Sequence, residues 1–379
     1  MVKLKTFEIT LSSADNFYMA GEILEGYVTV ELKYPTKMQS IRVFAKGKSF
    51  VHWTEQKLRG PGEPRFKNQR HYSSTEEYFD FYTTVLKNNE KESKKFVLPA
   101  GKYSYPFRFQ LPPNLPSSFE GEYGRIRYYV KAAIMKPMRM AHVTKTAFTV
   151  ASILDLNTIP EANKSIQKTL TKQLCCFCCS SGPITAFLSI DRHGFVPGEP
   201  ITVNAEIENL SSRKVKASSV GLKMITTFHT PHQSRTVSSA ITTIRHSSIG
   251  QGQIDTWNGE QMFVPSLPPS FLRGCKNIDL SYILEFRVDP IGPTLELRIP
   301  VEIIIGTVPL HSSVNHYLRF QPHSSGHGAT NMSHNRLSLQ TLNAESILGS
   351  VCIKEEDDPE HTRGQLRYTP IYTFYIWGI

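Results

Sequence analysis

The sequence predicts an all-β chain: two tandem immunoglobulin-like antiparallel β-sandwiches followed by a disordered C-terminal tail. Three observations carry this. The chain repeats itself: Tyr18-Met-Ala-Gly21-Glu22 leads into an alternating run through Leu32, and Phe195-Val-Pro-Gly198-Glu199 leads into another through Ile207. A second pair of echoes follows. Leu111-Pro-Pro precedes the run of Ile126, Tyr128 and Val130, and Leu267-Pro-Pro precedes that of Ile278, Leu280 and Tyr282. A unit used twice is an architecture. Apolar residues alternate with polar ones at period two, the mark of strands with one buried face. Clusters of Gly, Pro, Asn and Ser break these runs at short intervals, which suggests stacked antiparallel sheets.

Taken in order, Phe7, Ile9 and Leu11 open the first sandwich, followed by strands around Tyr27–Leu32, Ile41–Phe44, Phe107–Leu111 and Ile126–Val130. Leu58–Phe66 reads as an exposed Gly- and Pro-rich loop, and Lys87–Lys95 as a charged hairpin region. The sequence places the first sandwich at residues 1–154 and a linker at 155–181, with room for a helical turn or two over Ala162–Gln173. The second sandwich spans 182–309 and ends in the β-branched Leu295–Ile305. Beyond Pro309, His, Ser, Asn and Gly dominate, so residues 310–379 are expected to be a flexible tail. Its end, Glu355-Glu-Asp-Asp358 and then Tyr368 to Trp377, has two readings: a short linear motif, or a tail that packs back on the sandwiches.

The formal net charge is +10 over 379 residues, and it is uneven. Residues 1–154 hold 24 Lys and Arg against 14 Asp and Glu, whereas the remainder balances at 19 of each. A basic face attracts acidic partners or anionic lipid; the plainer reading is lysines that guard sheet edges. The strand Arg125–Lys131 puts Ile126, Tyr128 and Val130 on one face and Arg125, Arg127, Tyr129 and Lys131 on the other. Arg125, Arg127 and Lys131 are therefore candidate partner-binding residues. The pattern is a half-buried strand with a basic outer face and not a nucleic-acid surface.

No run of 18 apolar residues occurs, and the N-terminal residues read as a strand rather than a secretory signal. Four of the six cysteines crowd into Cys175-Cys176-Phe177-Cys178-Cys179, which is not a disulfide framework; the usage reads as reducing cytosol. Zinc would need a second, separated pair, and only Cys275 and His193 offer single candidates. Acylation of Cys175, Cys176, Cys178 and Cys179 would add membrane affinity. Buried structural thiols are the plain alternative. No phosphate-binding loop, serine elbow or zinc-protease motif is present, so no enzyme and no cofactor is expected.

The chain resembles the α-arrestin group of arrestin domain-containing proteins. The resemblance covers residues 1–309 and rests on Gly47–Trp53, on Glu120-Gly-Glu-Tyr-Gly-Arg-Ile-Arg127-Tyr-Tyr-Val-Lys131-Ala132, on Cys175–Ile184 and on Ile190–Glu199. It implies a cytoplasmic adaptor, peripheral to plasma membrane or endosomes, that binds receptors or transporters and recruits HECT-type ubiquitin ligases. In the family, Pro-Pro-x-Tyr in the tail grips the ligase's WW domains. This chain has no Pro-Pro-x-Tyr; its nearest element is Thr369-Pro370-Ile371-Tyr372, which makes Pro370 and Tyr372 the candidate ligase contacts. A redox-linked binding module acting through Cys275 or the 175–179 cluster is the rival reading.

Overall fold

The computed structural model describes residues 4–57, 68–87, 96–136, 139–176, 179–292, 296–320, 339–354, 358–359 and 362–377. The expected loop over 58–66 and most of the charged hairpin at 87–95 lie outside them.

The first sandwich is built from β1 (Leu4–Leu11), β2 (Phe17–Met19), β3 (Ile23–Leu32), β4 (Thr36–Met38), β5 (Ser40–Lys57), β6 (Asn68–Lys87), β7 (Phe96–Leu98), β8 (Gly101–Gln110), β9 (Phe119–Glu120), β10 (Gly124–Lys136) and β11 (Arg139–Ala151). One sheet runs β1-β3-β8 and the facing sheet β2-β11-β10-β5-β6. Alternation decides which faces meet. Leu24, Val28 and Val30 from β3 pack inward together with Ile126, Tyr128 and Val130 from β10.

The second sandwich repeats the plan with β12 (Ile166–Cys176), β13 (Cys179–Ile190), β14 (Gly194–Phe195), β15 (Pro200–Asn209), β16 (Val215–His229), β17 (Ser234–Arg245), β18 (Gln253–Phe263), β19 (Ile278–Pro290) and β20 (Leu297–Ile305). Its sheets run β12-β13-β15-β18 and β14-β20-β19-β16-β17. The segment that the sequence assigns to a linker becomes two short 3-10 turns, Leu156–Thr158 and Pro160–Asn163, and then β12. β12 is a strand because it pairs residue by residue with β13 as a hairpin.

The repeat holds at the level of single hydrogen bonds. Gly21 and Gly198 take φ of 87° and 92°, a left-handed conformation that favours glycine. Glu22 accepts from the Met19 N–H at 2.8 Å, and Glu199 accepts from the Val196 N–H at 3.0 Å. The Tyr128 hydroxyl donates to the Pro116 carbonyl, and the Tyr282 hydroxyl to that of Pro268, both at 2.7 Å. Ser118 Oγ accepts from the Val150 N–H and Ser270 Oγ from that of Ile305, both at 3.0 Å. One local difference stands out. Phe119 is buried in the first copy, while the second buries Leu272 and leaves Phe271 46% exposed, both on positive φ.

The two sandwiches touch through Phe228, whose ring lies against Gly121 and Gly124 and edge-on to Tyr123 at 5.9 Å. Gly274 abuts the Asn114 carbonyl, and the Lys276 N–H donates to Glu76 at 2.9 Å.

The expected disorder of the tail does not hold for its described part. After the helix α1 (His311–Phe320), the chain forms β21 (Gln340–Glu345), β22 (Val351–Cys352), β23 (Arg363–Gln365), β24 (Arg367–Tyr368) and β25 (Ile371–Ile376). β21 pairs with β25, β22 with β24, and β23 adds in parallel to the free edge of β11. The tail needs no core of its own. Ile353, Tyr368 and Tyr372 are buried, and the sandwiches supply the surfaces that bury them.

Candidate functional site

The outer face of the larger sheet in the first sandwich gathers cations. β10 lies between β5 and β11, and side chains directly opposite one another share a face. Arg127 faces Lys48, Tyr129 faces Lys46, Arg125 faces Phe50, and Lys131 stands between Phe44 and Lys145. Several of these charges are already matched. Arg127, 4% exposed, donates through Nε and Nη2 to both carboxylate oxygens of Glu120 at 2.7 and 2.8 Å. Lys46 pairs with Asp80 at 2.5 Å, and the Arg125 guanidinium lies 5.0 Å over the Phe50 ring.

Lys131 and Lys145 pose a different problem. They are like charges placed directly opposite across adjacent strands, which destabilises a sheet. The Lys145 side chain has no exposure at all, and a buried ammonium must be paired and hydrogen-bonded. The tail supplies what is needed. Lys145 Nζ donates to Asp358 Oδ2 at 2.9 Å and to the Ile353 carbonyl at 3.1 Å, and it sits 3.9 Å over the Tyr129 ring. The other oxygen of Asp358 lies 3.8 Å from Lys131 Nζ. One carboxylate, 4% exposed, therefore serves two lysines.

The tail is fastened on either side of this anchor. β23 pairs Gly364 with Lys145, and Gly364 has φ of 106° with no room for a Cβ, which would lie 2.2 Å from the Lys145 carbonyl. Tyr368 shares a hydrogen bond with Thr149 Oγ1 at 3.2 Å. The Tyr372 hydroxyl donates to the Ser118 carbonyl at 3.0 Å, and that of Tyr375 to the Thr307 carbonyl at 2.6 Å. Burial pushes the Tyr368 phenol up to about 12 and that of Tyr372 well above its ordinary value, so both serve as neutral donors or acceptors. Ser266 donates to the Ala344 carbonyl, so the tail grips both sandwiches.

Among the described residues, the second copy lacks such a site. Val150 and Ile305 are equivalent by their serine bonds, and Tyr128 and Tyr282 by their proline bonds. Counting along the strands, Glu285 and Pro300 replace Lys131 and Lys145, and they too stand opposite one another. Glu285 pairs with Lys223 at 2.6 Å. Pro300 has no N–H to offer an added strand, and Lys168 caps its carbonyl at 2.7 Å.

Of the residues singled out in the sequence, Arg125, Arg127 and Lys131 do lie on one outward face, with Arg127 committed to Glu120. Pro370 and Tyr372 are buried in the docked tail. Cys175 and Cys176 end β12 and Cys179 opens β13; Cys178 and all four side chains lie outside the described residues. Cys275 is half-buried, with Sγ 3.2 Å from Asn277 Oδ1, and burial pushes its thiol up, which weakens it as a nucleophile. His193 Nδ1 lies 2.9 Å from the Lys164 carbonyl. Among the described residues, no group of three His, Cys, Asp or Glu could hold a metal. No helix among them is long and apolar enough to cross a membrane.

Lys145 and Asp358 escaped the sequence reading. Only the structure marks Lys145: residues Val143–Ala151 are buried on both faces of β11, where an alternating strand would show one. Asp358 belongs to the acidic run that begins at Glu355, but nothing in the sequence joins it to a lysine 213 residues away.

Comparison with known proteins agrees with this architecture. Residues 7–157 match the family described as arrestin (or S-antigen), N-terminal domain, and residues 180–310 match arrestin (or S-antigen), C-terminal domain. The chain is 32% identical to arrestin domain-containing protein 17 of Caenorhabditis elegans, over 94% of this chain and 83% of that protein. It is 32% identical to arrestin domain-containing protein 4 of Mus musculus over 77% of this chain and 69% of that one. Thioredoxin-interacting protein of Homo sapiens is 29% identical, over 80% and 75% respectively.

Proposed function

The chain belongs to the arrestin family, whose members are non-enzymatic adaptors, and from that premise we propose that it sorts membrane proteins by receiving an acidic cytoplasmic segment on the cationic face of its first sandwich. The observation that carries this reading is the Asp358 carboxylate seated on Lys131 and Lys145. A partner segment with a carboxylate or phosphate at the same spacing, and a glycine to approach β11, would satisfy the same two ammonium groups. Such a segment competes with the tail in cis. In this scheme the tail is released on engagement, and release exposes Pro370 and Tyr372 as a weak WW-domain ligand for a HECT-type ubiquitin ligase. Acylation of the 175–179 cysteines would hold the adaptor near its cargo.

The test is binding of an acidic peptide with a central Asp-Gly spacing, followed by fluorescence anisotropy. Asp358→Asn should tighten binding by roughly tenfold, because the competing carboxylate is gone. Equal affinity for the wild type and Asp358→Asn would sink the competition. A redox role for Cys275 gains no support from its raised thiol.

A further inference from the structure

The row of side chains that holds Lys145 and Lys131 continues across the sheet. Lys131 stands opposite Phe44 on β5, and Phe44 opposite Tyr82 on β6, so one line crosses four strands on the outer face. β23 adds to the β11 end of this line, whereas the β6 end stands open. Tyr82 is 67% exposed, more than any other large apolar or aromatic side chain among the described residues, and its ring lies 6.2 Å from that of Phe44. β6 is an edge: among the described residues no strand pairs with its outer side. The same strand carries Glu76, Glu77 and Asp80 upstream of Tyr82.

Cations surround this tyrosine. Arg42 lies diagonally across from it on β5, about 7–8 Å between Cα atoms. Arg42 is half-buried, and its Nε is buried with no hydrogen-bond partner. Lys131 is two strands away, about 10 Å at strand spacing, and its Nζ keeps only a loose contact of 3.8 Å with Asp358 Oδ1. The acids on the same face are already matched or opposed: Asp80 pairs with Lys46 at 2.5 Å, and Glu77 stands opposite Lys48.

We propose that Tyr82 is a tyrosine-phosphorylation site, and that its phosphate leans onto Arg42 and Lys131 and closes the cationic face to acidic segments. An edge strand with a protruding phenol offers a kinase an extended segment to pair with, and upstream carboxylates are a charge pattern by which kinases select substrates. The γ-phosphoryl group of ATP passes to Tyr82 Oη; its bond to the β-phosphate oxygen breaks, ADP leaves, and the phenol proton goes to the catalytic Asp of the kinase. The product brings a charge of about −1.5 to −2 and three acceptor oxygens. Arg42 and Lys131 meet it with charge-assisted hydrogen bonds, and the orphaned Nε gains an acceptor. Asp358 keeps Lys145. The other exposed tyrosines fit less well: Tyr27 lies on β3, between β1 and β8, and Tyr34 sits between Lys33 and Lys37. Closing of the face rests on the acidic-segment reading; modification of Tyr82 and capture of its phosphate do not.

The experiment is phosphorylation of the full chain by a purified tyrosine kinase domain with ATP, read by phosphopeptide mass spectrometry. Tyr82 should carry most of the phosphate, and Tyr82→Phe should remove most of the incorporation. Glu77→Gln with Asp80→Asn should slow modification of Tyr82 several-fold. Capture is read with a tyrosine phosphatase, which should clear the phosphate roughly tenfold faster from Arg42→Gln with Lys131→Gln than from the otherwise unchanged chain. Phosphate placed mainly on other tyrosines, or equal rates of clearance, overturns the proposal. An acidic peptide should bind the phosphorylated chain roughly tenfold more weakly than the unmodified one, and kinase-treated Tyr82→Phe should bind it as before. Equal binding to both forms overturns the closing of the face. A peptide that fails to bind even the unmodified chain strikes the proposed function instead, and the phosphatase comparison then decides this one.

Discussion

Lys145 shows how one buried charge organises a surface. With Asp358 removed, an ammonium with no exposure loses its counter-ion while Lys131 remains opposite. Asp358→Asn is therefore expected to destabilise the docked state by about 3 kcal/mol, read as a lowered Tm or denaturation midpoint. Lys145→Met combined with Asp358→Leu should be close to neutral in the same measurement, since replacing the whole pair by apolar side chains removes both buried charges. That variant should nevertheless lose acidic-peptide binding, which separates the stabilising role of Asp358 from the recognition role of Lys145. Glu199 tells a second residue-scale story. Burial raises its carboxyl above the ordinary value of 4.5, against the pull of Arg192 and the Val196 N–H. A folded-state pKa above the unfolded one means that the folded protein binds the proton more tightly. That contribution is full below about 4.5 and is lost as pH rises through the folded value. Glu199→Gln should flatten the dependence of Tm on pH in that window; an unchanged slope would place the titration elsewhere.

At the scale of elements, the strands of both sandwiches were legible in the sequence because each carries its own evidence. Alternation in β3, β10 and β19 needs no knowledge of the partner strand. The tail's docking was legible only as one of two open readings, for the opposite reason. Tyr368, Tyr372 and Ile353 are too few to make a core, and their burial depends on recesses built by residues more than 200 positions away. The same holds for β12, whose sequence Ile166-Gln-Lys-Thr-Leu-Thr-Lys looks like polar linker until β13 pairs with it. The tail's attachment is under steric control at Gly364, as it is at Gly198 against the Tyr375 carbonyl. Gly364→Ala places a methyl group where the Lys145 carbonyl stands and holds a non-glycine residue in left-handed backbone. β23 should detach from β11, and amide exchange at Gln365 should accelerate tenfold or more. Retained protection there would mean that the flanking tyrosines alone hold the strand.

At the scale of the whole molecule, the two sandwiches behave as one body only as far as their shared surfaces allow. Phe228 fills a gap that exists because Gly121 and Gly124 have no side chains, and the tail bonds to both halves. Phe228→Ala should cost about 3 kcal/mol of coupling, seen in calorimetry as a single transition broadening toward two. The excess of positive charge in residues 1–154, read from the sequence, already counts Glu120 and Asp80, which pair with Arg127 and Lys46; Asp358 of the tail meets part of it from outside the segment. What composition could not show is which cations are already paired; geometry separates the matched pairs Arg127–Glu120 and Lys46–Asp80 from the Lys131–Lys145 demand.

The substitution of Glu285 and Pro300 for that lysine pair has a consequence for how the protein can be used. Duplication ordinarily hands a molecule two equivalent ports, and with them ambiguity over how many ligands it takes and which way round it sits. Here a proline and a carboxylate close one port. Any segment that joins this fold as an added strand beside β11 does so with one-to-one stoichiometry and in one direction. A ligand anchored in a bilayer would then dictate the orientation of the entire particle, so a nearly symmetric architecture acquires a vector.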